Sequence, residues 1–218
     1  MGQNLQIPTE VDMAAFISKE AHDLKSPFNR AMGFLKLVLK GMDGPISDQA
    51  KEDLTVAFQN TQYTLSMMTA LVDISRLGRG ERKPTLGPVQ VDYLLQQTLS
   101  EWTRKYYKEN PVELSLSAPE TQIRGDEIML RQCLAYWVSY VNEFVQEEAK
   151  IDIQVEERPD TCIFTIHSYG KKRPQPPECD LTLFGYTAKG ILDIHQGELI
   201  RLEEDEQGAL VQFSLPKA

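Results

Sequence analysis

The chain has 218 residues, room for one large domain or two small ones at about 100–200 residues each. Acidic residues number 32 against 23 basic ones, a net charge of −9 with no long basic block, which argues against a nucleic-acid ligand. Hydrophobic residues make up 41% and charged residues 25%, enough for a buried core. No apolar run approaches the roughly 20 residues of a membrane span and no signal-peptide pattern opens the chain, so a cytoplasmic protein without membrane contact is expected.

Ile17, Ala21, Leu24, Phe28, Ala31, Leu35, Val38 and Met42 alternate steps of four and three, the seam of a first helix. Gly41 to Ser47 holds the glycines and proline that stop it, and Ser47 is placed to cap a second helix. Leu54, Phe58, Thr61, Leu65, Met68, Val72 and Ser75 form the second seam, which runs out before Gly78-Arg79-Gly80. Each seam of this helical hairpin keeps one flank in water, so two copies are expected to pair into a homodimeric four-helix bundle. After Pro84 and Pro88 the period changes. Val91 to Tyr106 and Ile128 to Phe144 have helical spacing, and part of Thr187 to His195 predicts a third helix. Val112 to Leu116, Ile151 to Val155, Cys162 to Ile166, Leu199 to Leu202 and Leu210 to Leu215 predict strands, the last two antiparallel across Gly208. The expected fold is therefore α plus α/β, with a helical domain over 1–83 and a two-layer α/β sandwich over 84–218. Lys171 to Pro177 holds three prolines and reads as an irregular loop. Cys133, Cys162 and Cys179 are odd in number and lack metal-ligand spacing, so buried free thiols are expected and no metal site.

His22 stands one position past the seam residue Ala21, on the solvent side of the first helix. Ser18, Lys19, Lys25 and Ser26 lie three or four residues away and share its face. An exposed imidazole between two ammonium groups and two hydroxyls suits a phosphoryl group, because the cations offset its charge and an unprotonated ring nitrogen can attack phosphorus. Asp23 can accept a proton from the ring and so hold the tautomer that leaves the other nitrogen nucleophilic. Pro27 frees the Asp23 carbonyl and predicts a kink there. Taken alone, a surface histidine among lysines is more simply a solvated side chain, and the residues leave both readings open.

The run His22-Asp23-Leu24-Lys25-Ser26-Pro27 resembles the H box of bacterial sensor histidine kinases. Leu71 to Gly78 is similar to the end of the second helix of that family's dimerisation and phosphoacceptor domain. Pro88-Val89 with Val91, Leu94 and Leu95 resembles the linker into its ATP-binding domain. Lys189 to Leu199 and Phe213 to Pro216 resemble that domain's C-terminal turn and ending. The resemblance implies that His22 accepts the phosphoryl group, that Asp23 orients the ring, and that Lys19 and Lys25 steady the phosphoryl charge. It places Ser26 where the family has a phosphatase-assisting Thr or Asn.

The kinase pattern then fails at the nucleotide. Aligned on Leu130 to Leu134, Tyr136 and Tyr140 stand where the family's magnesium-holding asparagines would be, and Asn142 lies roughly 200° further round the helix. The first glycine box reduces to Ile166 to Lys172, without its adenine-reading aspartate and with Ser168 in that stretch. The second reduces to Leu183 to Ala188, which leaves little room for a nucleotide lid before Gly185. The resemblance therefore implies a degenerate kinase that has lost ATP and magnesium, similar to bacterial histidine phosphotransferases that relay phosphoryl groups between response-regulator receiver domains, the receiver bringing its own magnesium. An active kinase without its own sensor, and a non-catalytic adaptor that binds a response regulator, are the alternatives. His167 and His195 read as structural. With no sensor, membrane span or receiver in 218 residues, signals are expected to arrive and leave through partners.

Overall fold

The Asp12 carboxylate accepts the N–H groups of Ala14 and Ala15 at 3.0 and 3.1 Å, satisfying donors that the first turn of a helix leaves open. From this cap α1 (Met13–Leu39) continues through Pro27. The computed structural model describes residues 12–42, 44–105, 112–116, 120–146, 149–173 and 181–218. Tyr106, Pro174 to Pro177 and Cys179 lie outside the described residues. Two compact units are formed, Met1–Arg82 and Lys83–Ala218.

In the first unit, Ser47 caps α2 (Asp48–Gly78) by accepting the Ala50 N–H at 3.2 Å. The Ser75 hydroxyl donates to the Ala14 carbonyl, which ties the end of α2 to the start of α1. Asp73 and Arg82 pair at 2.7 Å with little exposure. The first seam divides into two rows a heptad apart. Ala21 is buried and Phe28 and Leu35 half-buried, whereas Ile17, Leu24 and Ala31 are exposed. Ala21 is the only buried residue of this helix, so α1 owes little of its stability to packing within one chain. Met13 and Phe34 extend the exposed row, and Val56, Tyr63 and Met67 form a second exposed row on α2.

In the second unit β1 (Gly87–Gln90) precedes α3 (Val91–Lys105), β2 (Val112–Leu116), β3 (Gln122–Gly125) and α4 (Glu127–Asn142). Then come β4 (Lys150–Glu157), β5 (Thr161–Tyr169), α5 (Leu183–Ile194), β6 (Glu198–Glu204) and β7 (Ala209–Pro216). Five strands form one sheet in the order β2-β4-β5-β7-β6, while β1 and β3 make a separate pair. Only β2 and β4 run parallel; the other neighbours are antiparallel. Alternation puts Ile151, Ile153, Val155, Cys162, Phe164, Ile166, Val211, Phe213 and Leu215 on one buried face. Helix α4 covers it, with Trp137 stacked on Phe213 at 6.1 Å, and the other face is half-buried and more polar. The result is the two-layer sandwich that the mixed pattern predicts. Cys133 and Cys162 are free and buried, and burial raises both thiol pKa values, that of Cys162 to about 11.

The short pair β1 and β3 escapes the sequence pattern because each strand buries so little: Val89 in one and Ile123 in the other carry the apolar contact. Helix α5 starts at Leu183, a full turn before the expected Thr187. Burial of Phe184 and Ala188 in the core outweighs the poor helix propensity of the intervening Gly185.

His195 closes the end of α5. Its Nδ1 donates to the Ile191 carbonyl at 2.7 Å and its Nε2 accepts the Asp126 N–H at 3.1 Å, so the ring is held neutral in one tautomer. Burial lowers its pKa below the ordinary 6.5. An unfolded chain therefore takes up a proton that the folded one refuses, and stability is full above about pH 6.5 and falls as pH drops below it. Urea midpoints of the wild type are expected to decline between pH 7.5 and pH 5.5, with a contribution from this ring of at most about 1.4 kcal/mol per pH unit. In His195→Gln, which keeps an acceptor for Asp126, the decline should be shallower; an unchanged slope would count against this assignment.

Candidate functional site

His22 lies in the third turn of α1, its side chain 76% exposed. Its Nδ1 is 3.4 Å from the Asp23 carboxylate, long for a hydrogen bond but directed so that a proton on Nδ1 faces the acid and Nε2 is left with its lone pair outward. Around the imidazole an open groove is lined by His22, Lys25, Ser26, Asn29 and Arg30. The helix repeat explains the set: at 100° per residue these positions span one face over a little more than two turns. The structure thus brings Lys25 and Ser26 together with His22 and leaves Asp23 beside the ring. Lys19 is exposed one turn earlier on the same helix and does not line the groove. Asn29 and Arg30 are functional candidates that the sequence reading missed. Extending the same spacing by one more turn, from Ser26 to Arg30 and from Lys25 to Asn29, is the signal that finds them.

The second candidate region, where α4 and α5 of the α/β unit face each other, is filled with aromatic rings. Tyr136 is 8% exposed and stacks on Phe184 at 5.8 Å. Tyr140 is 1% exposed and meets Trp137 and Phe144 edge-on at 5.7 and 5.1 Å. Gly185 sits against this ring: a Cβ added to it would lie 3.0 Å from Tyr140 Cδ2 and 2.8 Å from Leu181 Cδ2. Gly170 is held as closely, since its Cβ would fall 2.5 Å from that of Ala149. Ser168 is fully buried and its hydroxyl accepts the Ala209 N–H at 3.0 Å, joining β5 to β7. In this region glycine and serine serve close packing. The loop after β5 is likewise engaged, with Arg173 donating to the Val145 carbonyl at 2.8 Å and Lys172 pairing with Glu204 at 3.9 Å.

His167 lies on the half-buried face of the sheet, its ring 3.8 Å from that of Tyr169 and its Nε2 3.7 Å from Asp205. Burial lowers its pKa more than the nearby Asp205 and Asp152 raise it.

No family model matches the sequence. The circadian input-output histidine kinase CikA of Synechococcus elongatus is 22% identical over 169 residues, covering 76% of this chain and 22% of CikA. Full-length ShkA, solved in complex with AMPPNP, superimposes with a TM-score of 0.62 over 94% of this chain and 46% of that one, at 19% identity. The fold is that of the histidine kinase structures. The chain's helical unit followed by a sheet-and-helix unit resembles the phosphoacceptor and ATPase arrangement of that fold. The histidine kinase AdeS of Acinetobacter baumannii gives a TM-score of 0.58 at 16% identity, covering 89% of this chain and 97% of its own. The chain spans about a quarter of the length of the curated relatives it matches. Among its described residues no helix is long and apolar enough to cross a membrane.

Proposed function

We propose that the protein is a histidine phosphotransferase of a two-component or phosphorelay pathway, acting without ATP. His22 takes a phosphoryl group from the aspartyl phosphate of one response-regulator receiver and passes it to the aspartate of another. The observation that carries this reading is the pair Tyr136 and Tyr140, buried at the positions of the expected metal-binding amides, with the Tyr140 ring against Gly185. A phenol buried among aromatic rings cannot stand in for a compact amide ligand, which supports the loss of nucleotide binding. The chain's own part in transfer is positioning and charge compensation. Asp23 orients the imidazole and holds the Nδ1 proton, Nε2 attacks phosphorus, and Lys25 with Lys19 offsets the charge of the phosphoryl oxygens. Ser26 offers a hydroxyl beside the transferred group. The receiver brings the magnesium and no cofactor is resident.

Two incubations test this. With ATP and magnesium the protein should gain no label, and with a phosphorylated receiver it should gain acid-labile label. Appreciable autophosphorylation would overturn the reading in favour of an active kinase, and failure to take label from any receiver would favour the adaptor.

The homodimer belongs to the same proposal. The exposed rows Met13, Ile17, Leu24 and Phe34 on α1 and Val56, Tyr63 and Met67 on α2 provide the faces that a second hairpin would cover in a four-helix bundle. Light scattering at tens of micromolar should give twice the chain mass. Phe34→Glu combined with Tyr63→Glu should shift it toward the mass of one chain, because a charge buried at such an interface is strongly unfavourable. A monomeric wild type would refute the pairing.

A further inference from the structure

The groove beside His22 is longer than a phosphoryl group. From His22 to Arg30 the helix rises about 12 Å, and helical side chains lean back toward the N-terminus, so the Arg30 guanidinium reaches toward Ser26 rather than away from it. His22, Lys25 and Ser26 suffice to surround the phosphoryl oxygens, which leaves Asn29 and Arg30 lining the far half of the same groove. Among the described residues neither Lys25 nor Arg30 has an acidic partner, and Asp23, the acid nearest the ring, faces Nδ1. In a chain of net charge −9, two uncommitted cations flanking one groove amount to an anion site with two compartments.

The compartment next to the phosphoryl group receives whatever the phosphoryl group leaves behind. When the donor is an acyl phosphate, Nε2 forms a bond to phosphorus as the bridging P–O bond breaks. The electron pair of that bond departs on the acyl oxygen, and the product is a carboxylate. Nδ1 keeps its proton toward Asp23 until it passes to solvent. A planar carboxylate matches the two-pronged donor set of a guanidinium and can take a further hydrogen bond from an amide. We propose that Asn29 and Arg30 form a leaving-group subsite for the carboxylate of an acyl phosphate, so that the groove discharges small acyl phosphates as well as the aspartyl phosphate of a protein. This rests on the reading of His22 as the phosphoryl acceptor. Because the subsite lies on the chain itself, a small donor needs no receiver to supply it.

Two small donors separate the compartments, since acetyl phosphate leaves a carboxylate and phosphoramidate leaves ammonia. Incubated with either donor and no receiver, the wild-type protein is expected to form acid-labile phosphohistidine on His22, located by mass spectrometry and absent in His22→Gln. In Arg30→Gln the acetyl phosphate rate should fall about tenfold relative to the phosphoramidate rate, the effect of removing one charge-assisted contact, and Arg30→Lys should recover part of it. Equal losses with both donors would overturn the subsite, placing Arg30 on the phosphoryl group or in the fold. Label from phosphoramidate but none from acetyl phosphate would overturn it while leaving His22 as acceptor. No label from either small donor, with label still gained from a phosphorylated receiver, would overturn the subsite and leave His22 as acceptor, whereas no label from any of the three would remove the acceptor reading as well. A phosphorylated receiver forms the third arm: a tenfold loss there in Arg30→Gln supports the same subsite serving the protein donor, whereas an unchanged receiver rate would overturn that half of the proposal.

Discussion

His22→Gln is expected to take up no phosphoryl group from a labelled receiver under conditions in which the wild type is labelled within minutes. The substitution keeps a polar side chain of similar reach on the exposed face of α1, so neither the hairpin nor its docking surface should change, and circular dichroism should be unaltered. What disappears is the nucleophile. Asp23 carries a carboxylate that can also attack phosphorus in principle, but it stands beside Nδ1 at 3.4 Å, on the side of the ring away from the outward nitrogen. Label on His22→Gln equal to the wild type would move the acceptor to another residue and end the assignment. Asp23→Asn gives the graded counterpart. An amide can still accept a hydrogen bond from Nδ1 but cannot offset an imidazolium, so transfer should slow by about tenfold to a hundredfold rather than vanish.

Tyr140→Asn is expected to destabilise the α/β unit by about 3–5 kcal/mol, in the range of large aromatic deletions from a core, and to create no measurable ATP binding. The ring contacts Trp137, Phe144 and the backbone of Gly185 at once. Its removal opens a void and places an amide among apolar neighbours that offer few partners. One restored asparagine does not restore a nucleotide site while Tyr136 remains stacked on Phe184. The measurements are a urea midpoint for the stability change and fluorescence of a labelled nucleotide for binding. Stability within about 1 kcal/mol of wild type would show that the site relaxes far more than a close-packed interior normally does. Micromolar nucleotide binding by this variant would mean that a single ring had been blocking an otherwise intact site.

The parts of the fold that were legible in the sequence are those with long, regular apolar periods. The strands that became β4, β5 and β7 bury every second residue over most of their length, and the two hairpin seams and α4 carry apolar residues at helical spacing. What the sequence did not reveal has little rhythm to offer. In β1 and β3 a single buried apolar side chain each, Val89 and Ile123, decides a strand, and the first turn of α5 contains a glycine that local propensity places outside a helix. At the candidate site, His22, Asp23, Lys25 and Ser26 were visible because a short motif and the helix repeat coincide. Asn29 and Arg30 were not, because they lie beyond the motif and only the shape of the groove joins them to it. The role of Ser168 was also hidden: its pairing with Ala209 spans distant parts of the chain, and no local pattern encodes it.

The contact between Tyr140 and Gly185 has a consequence for how such a sequence can change over generations. Ring and glycine are complementary, one large because the other is absent. Enlarging Gly185 alone crowds the ring, and shrinking Tyr140 alone leaves a void, so each single step in either direction passes through a less stable protein. The pair therefore behaves as a ratchet. Once both halves are in place, small substitutions elsewhere accumulate more easily than either half reverts, and lineages that carry the interlock are expected to keep both residues together or lose both together.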